Sequence, residues 1–162
     1  MVLLGYSDKE TVKIDWDECS LDFVKKYSLK ACKKFNLEGF IILLSSQKKV
    51  NADFGEYTVK SYHTVFNKPV SWEKNVKIMS WLSLISNHYK LMRYTLVQIA
   101  KGSSTLRITP KTSDSNPKYP KIVFVYGKTD KCVARYIKTR EMLKKLFESY
   151  VKTIKNQKNK GN

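Results

Sequence analysis

The chain has 162 residues, and 31 Lys and Arg against 14 Asp and Glu give a formal net charge of +17. A hydrophobic content of 42%, with ten Tyr, seven Phe and three Trp, is enough for one core at this length and excludes general disorder. The longest apolar run, residues 40–44, is far short of the roughly 20 residues of a spanning helix, and residues 1–6 lack the basic start and apolar segment of a secretory leader.

Residues 11–17 alternate, with Val12, Ile14 and Trp16 against Thr11, Lys13, Asp15 and Asp17, the pattern of a strand with one buried face. Ser20 then reads as the N-cap of a helix carrying Leu21, Val24, Tyr27, Ala31 and Phe35 inward and ending near Asn36 and Gly39. Residues 40–45 form a short apolar strand, 47–56 a polar loop, and 57–66 a third, alternating strand. Ser71 opens a second helix with Val76, Met79, Trp81, Leu82 and Ile85 as its stripe. The second half of 89–100 reads as a strand, followed by strands at 105–109 and 121–126 across a Ser/Asp/Asn/Pro-rich loop at 110–120. A final helix spans 139–155, and 156–162 is a polar, basic tail.

The first six elements run strand, helix, strand, strand, helix, strand, the order of a split βαβ or ferredoxin-like domain. The expected fold is α+β: a single RRM-like domain over 1–155, with a β-rich extension and a C-terminal helix. In that topology the first and third strands lie side by side at the sheet centre, with both helices behind them.

Self-repulsion makes so large a positive charge costly, and its usual reason is an anionic partner, most often nucleic acid. Residues 131–162 hold ten Lys and Arg against two acids, so +8 of the +17 lies there. Lys138, Arg140, Lys144, Lys145 and Lys152 are the candidate nucleic-acid contacts. The first strand, by contrast, opens an acidic island of Asp15, Asp17, Glu18 and Asp22. Three separated cysteines, Cys19, Cys32 and Cys132, without a Cys-x-x-Cys pair, argue against a disulfide framework or zinc site and suit a reducing cytoplasm.

Asp15 and Asp17 are two apart on a strand and share a side, as do Ser61 and His63. Side-by-side strands set the carboxylates against the Ser/His pair on the helix-free face. Two close carboxylates repel unless a cation intervenes, and oxygen ligands suit Mg²⁺ or Mn²⁺. The alternative is a pair of solvent-facing acids on an open sheet. Lys101-Gly102-Ser103-Ser104-Thr105-Leu106-Arg107-Ile108-Thr109-Pro110-Lys111 adds small residues, hydroxyls and cations, with Arg107 offering a fork for phosphate.

Asp-x-Asp on the first strand, Ser-x-His on the third and a later Leu-Arg-Ile-x-Pro strand resemble the archaeo-eukaryotic primase superfamily, over about residues 11–127. The resemblance implies an RRM-like catalytic half performing metal-dependent nucleotidyl transfer on a DNA template. Asp15 and Asp17 would be metal ligands and, with His63, catalytic. Ser61, His63 and Arg107, supported by Lys60, Lys101 and Lys111, would hold a nucleoside triphosphate. It also implies DNA ahead of RNA, other replication proteins as partners, and no membrane. The family's third carboxylate has no counterpart on the expected strand, where Gln98 stands; Asp114 and Asp130 lie beyond it. Two other classes remain open. One is a non-catalytic DNA- or RNA-binding module on the same fold. The other is a rolling-circle initiator, for which Tyr89, Tyr94 or Tyr136 would be the nucleophile and His63 the one available metal histidine.

Overall fold

The structure, a computed structural model, describes residues 3–111 and 118–160. In chain order the elements are β1 (Gly5–Asp8), β2 (Lys13–Trp16), α1 (Leu21–Phe35), β3 (Gly39–Ala52), β4 (Gly55–Phe66), α2 (Trp72–Ser86), α3 (Tyr89–Lys101), β5 (Ser104–Arg107), β6 (Lys121–Gly127) and α4 (Cys132–Lys160). The class is α+β with a split βαβ core. One antiparallel sheet has the order β2-β4-β3-β6, and β1 pairs with β5 in a second, two-stranded sheet. The strands expected side by side are neighbours, but β2 ends the four-stranded ladder and β4 and β3 occupy its centre.

The helices start and stop where their caps dictate. The Ser20 hydroxyl accepts from the Phe23 amide and Asn36 closes α1 with φ of 49°. Ser71 accepts from Lys74 and Asn87 closes α2 in the same left-handed conformation. Residues 89–101 are helical throughout, the second half included where a strand was expected, because His88 caps the start by accepting from Lys90 N and Gly102 turns the end at φ 76°. The buried positions of α3 are Leu91, Thr95 and Gln98, at helical spacing. Leu96, Val97 and Ile99, which suggested a strand, are exposed. With α3 helical, no ferredoxin-like fourth strand pairs with β2 among the described residues, and α3 packs beside β2 instead.

Three other boundaries differ from expectation. The loop expected at 47–56 is ladder, since β3 and β4 pair from Phe40↔Phe66 to Ala52↔Gly55 with a bulge between Leu44 and Ser46. The final helix begins seven residues before 139, where Cys132 N donates to Asn67 O and Lys131 N to the Asn67 side chain. It also continues to Lys160, through most of the expected tail. Asp114 lies outside the described residues. No helix among the described residues is long and apolar enough to cross a membrane.

Both faces of the large sheet are covered. On one, Ile14, Trp16, Phe40, Ile42, Tyr62 and Phe66 pack against α1 and α2. Trp16 Nε1 donates to Thr64 Oγ1, which in turn bonds Ser28 of α1. The other face, expected to be open, carries Ile41, Leu43 and Val65 under Tyr6, Leu106, Ile108, Val133 and Tyr136. β1, β5 and the first turns of α4 therefore form a second layer. Lys13 points into that layer with no exposed surface, and its ammonium donates to Asp8 Oδ1 at 2.6 Å and to Thr11 O. Asp8 also accepts from Tyr6 Oη, Thr11 N and Thr11 Oγ1. Burial alone would raise the Asp8 carboxyl, but the Lys13 and Thr11 bonds outweigh it and hold the group below the usual carboxylate range.

Removing one partner of a buried pair leaves the other charge unmet, whereas removing both does not. Asp8→Ala is expected to lower unfolding stability in urea by about 3–5 kcal/mol. The Lys13→Met/Asp8→Ala double variant is expected to lose less than Asp8→Ala alone.

Candidate functional site

The pairing of β2 with β4 sets Asp15 opposite His63, and both project from the second face, beside Lys13. His63 Nε2 stands 3.6 Å from Asp15 Oδ1. His63 is buried, while Asp15 is half-buried and opens toward solvent. Asp17 lies one residue past the end of β2, on a turn whose next residue, Glu18, has φ of 55°. Side chains and backbone from two directions hold that turn. Ser61 Oγ accepts from Glu18 N at 3.1 Å, and Lys60 O accepts from Cys19 N. From the other side, His88 Nε2 lies 2.8 Å from Asp17 O. His88 Nδ1 accepts from Lys90 N, so Nε2 carries the hydrogen and donates to the Asp17 carbonyl. Ser61 thus positions the acidic turn, and His88, a capping residue, does the same from α3.

Asp15 and Asp17 together form one wall of a cavity of about 440 Å³; the opposite wall is α3, contributing Tyr89, Lys90, Arg93, Tyr94, Val97 and Gln98. The helix is fastened across two strand edges. Tyr94 Oη donates to Lys13 O of β2 and, alternatively, to Thr105 O of β5. Gln98 Oε1 accepts from Thr105 N at 2.9 Å. Gln98 does reach the carboxylate cavity, but from a helix, with its amide oxygen committed to the backbone. Lys90 is bound by Glu18 at 2.5 Å.

The electrostatics follow from burial and neighbours. Burial first, and then the charge of Asp17, push the Asp15 carboxyl up to about 7, against the pull of Arg107 and Lys111. Burial, followed by the same two cations, lowers His63 to about 3, so its imidazole is neutral near pH 7. Its Nδ1 is buried without a hydrogen-bond partner. Burial, then Asp17, Asp15 and Glu18, raise the Cys19 thiol to about 12, which removes it as a thiolate nucleophile.

The expected nucleotide contacts divide. Arg107 and Lys111 act on the Asp15/His63 pair through space, but Arg107 Nη2 donates to Ser45 O at 2.8 Å and Nη1 donates to Thr109 O. Lys60 is exposed on β4, and Lys101 bonds Thr105 Oγ1; neither lines the cavity. Of the α4 cations, Lys138, Lys145 and Lys152 are exposed. Arg140 is tied to Pro120 O and Glu141, and Lys144 sits over the Tyr119 ring. Among the tyrosines, Tyr94 is committed to two carbonyls and Tyr136 is enclosed in the second layer, both raised by burial. Tyr89 alone of the three is exposed. Lys90 and Arg93 are not among the sequence candidates, and Tyr89 is one only as a nucleophile; the His88 and Gly102 caps, which make 89–101 one helix, are the signal that places all three on a cavity wall.

Two neighbouring carboxylates, with the charge of Asp17 helping to raise Asp15, are the donor chemistry of a hard dication. Among the described residues no group of three His, Cys, Asp or Glu is placed to hold a metal. A dication at Asp15 and Asp17 would therefore take its remaining oxygens from water or a phosphorylated substrate. No protein-family model, curated protein or solved structure matches this chain.

The depressed His63 and the raised Asp15 contribute to stability with opposite signs. Between about pH 4 and 6.5 the unfolded chain binds a proton at histidine that folded His63 refuses, so that contribution falls with falling pH. Folded Asp15 keeps its proton up to about 7 while an unfolded Asp loses it near 3.9, so its contribution falls with rising pH. In Asp15→Asn, urea stability is expected to drop on acidification across that window more steeply than in the parent protein. In His63→Gln it is expected to drop as pH rises, each slope being at most about 1.4 kcal/mol per pH unit.

Proposed function

We propose that this chain is a replication protein of the primase-polymerase type, carrying out metal-dependent nucleotidyl transfer on a DNA template. One observation carries the reading. Among the described residues four acids are half-buried; Asp8 and Glu38 are each paired with a lysine, Lys13 and Lys131. Among the described residues no ammonium or guanidinium pairs with Asp15 or Asp17, although the chain carries 31 Lys and Arg. These two acids face a cavity instead, beside a neutral histidine. The order of the Asp-x-Asp, Ser-x-His and Leu-Arg-Ile-x-Pro segments supports the same reading.

In this mechanism Asp15 and Asp17 would hold Mg²⁺ or Mn²⁺, which when bound would supply neutralisation of phosphate charge and activation of a hydroxyl. Ser61 keeps the Asp17–Cys19 turn in place from behind. His63, uncharged and buried behind Asp15 at 3.6 Å, would not repel a bound cation. Arg107 and Lys111 supply positive potential around phosphates, and the exposed Lys138, Lys145 and Lys152 extend it along the nucleic acid. Free Cys19, Cys32 and Cys132 fit work in the reducing cytoplasm, among other replication proteins. A non-catalytic nucleic-acid-binding module on the same fold is favoured by one feature, the neutral and committed Gln98 in the cavity wall.

Two measurements test these statements. Templated nucleotide incorporation with Mn²⁺ or Mg²⁺ is expected to fall in Asp15→Ala and Asp17→Ala by more than the roughly 10–100-fold that loss of an outer-shell partner costs. Incorporation that needs no metal, or ignores both substitutions, overturns the enzymatic reading. Separately, replacing Lys138, Lys145 and Lys152 by Gln is expected to reduce the slope of log affinity against log salt for DNA by about two to three units.

A further inference from the structure

We infer that the phosphate and base contacts of this cavity are made by α3, with Arg93 taking the phosphates and Tyr89 the base of a nucleoside triphosphate. The inference rests on the reading of the cavity as a nucleotide site, and it moves the substrate contacts away from Ser61 and Arg107.

The displaced residues are already engaged. Ser61 is buried, with its oxygen accepting the Glu18 amide. Arg107 spends part of its fork on the carbonyls of Ser45 and Thr109. On α3 the situation is reversed. Tyr89, Arg93 and Val97 are spaced four apart, so they form one face of the helix, and all three line the cavity opposite Asp15 and Asp17. Lys90, beside them, is neutralised by Glu18. Arg93 is exposed and, among the described residues, makes no hydrogen bond or ion pair. Its planar fork suits phosphate oxygens in two parallel bonds.

Tyr89 is 73% exposed and Val97 55%. An unpacked aromatic ring in a cavity wall, one helical turn from an unpaired guanidinium, matches a base with its phosphates a turn farther along the helix. Base stacking on such a ring tolerates any base, as a template-directed enzyme requires. Phosphates held by Arg93 would lie between the α3 wall and the Asp15/Asp17 wall.

The test is equilibrium binding of dATP and of inorganic tripolyphosphate in Mg²⁺ to the full chain, using surface substitutions that leave the core intact. Arg93→Ala is expected to weaken both ligands about tenfold or more. Tyr89→Ala is expected to weaken dATP about tenfold while leaving tripolyphosphate unchanged, and Tyr89→Phe to bind dATP like the parent. If Arg93→Ala binds both ligands normally, or Tyr89→Ala binds dATP normally, the assignment of that residue is overturned. The nucleotide site itself would still stand, provided Asp15→Ala/Asp17→Ala removes the Mg²⁺ dependence of dATP binding. A parent protein that binds neither ligand overturns the site and the inference together.

Discussion

Lys13 has no exposed surface, and a buried ammonium must be met inside the protein. Asp8 meets it, from a strand that belongs to a different sheet. The pair therefore does more than satisfy a charge: it fastens β1, and through β1 its partner β5, onto a sheet face that would otherwise be open. Tyr6 and Thr11 bind the same carboxylate, and Arg135 of α4 approaches it at 3.5 Å. One acid thus gathers groups from β1, β2 and α4. The layer it anchors removes Lys13 and His63 from water while leaving Asp15, at the rim, half-open.

That layer also fixes the cavity. β5 is held by β1, and α3 runs directly into β5 through the Gly102 turn. Tyr94 binds a carbonyl of β2 and faces one of β5, and Gln98 binds the amide of Thr105. The α3 wall is thus tied at two points to the strands that carry, or flank, the acidic wall. The acidic turn is clamped independently, by Ser61 from β4 and by His88 from the start of α3. Both walls are set by backbone contacts on regular elements, which is what a preorganised site needs.

The split βαβ core was legible because its signals are local. Alternation in β2 and β4, Ser caps on α1 and α2, and an apolar β3 all point to one answer. The juxtaposition of Asp15 and His63 followed from period-two geometry and strand order. What was not legible depends on contacts distant in sequence. Lys13 alternates with Ile14 as a solvent-facing lysine would; only β1, unmarked by any hydrophobic run, makes burial tolerable. In α3 the buried positions include the polar Thr95 and Gln98 while Leu96, Val97 and Ile99 face outward, so hydrophobic periodicity pointed the wrong way. Capping chemistry, which does not depend on the core, was the better guide there.

The acidic island of the sequence shrinks once the structure assigns its members. Glu18 is taken by Lys90, with Lys48 nearby, and Asp22 sits in the first turn of α1, where a helix favours an acid. Asp15 and Asp17 remain. A chain with a surplus of lysine and arginine had every means of pairing them, as it paired Asp8, Glu38 and Glu56 with lysines and Glu10 with Arg135. Leaving two neighbouring carboxylates together, both half-buried and Asp15 with a raised pKa, costs stability that an added ammonium would recover. Uncompensated charge of this kind, in a cleft, is where functional sites concentrate rather than where structure alone would leave it.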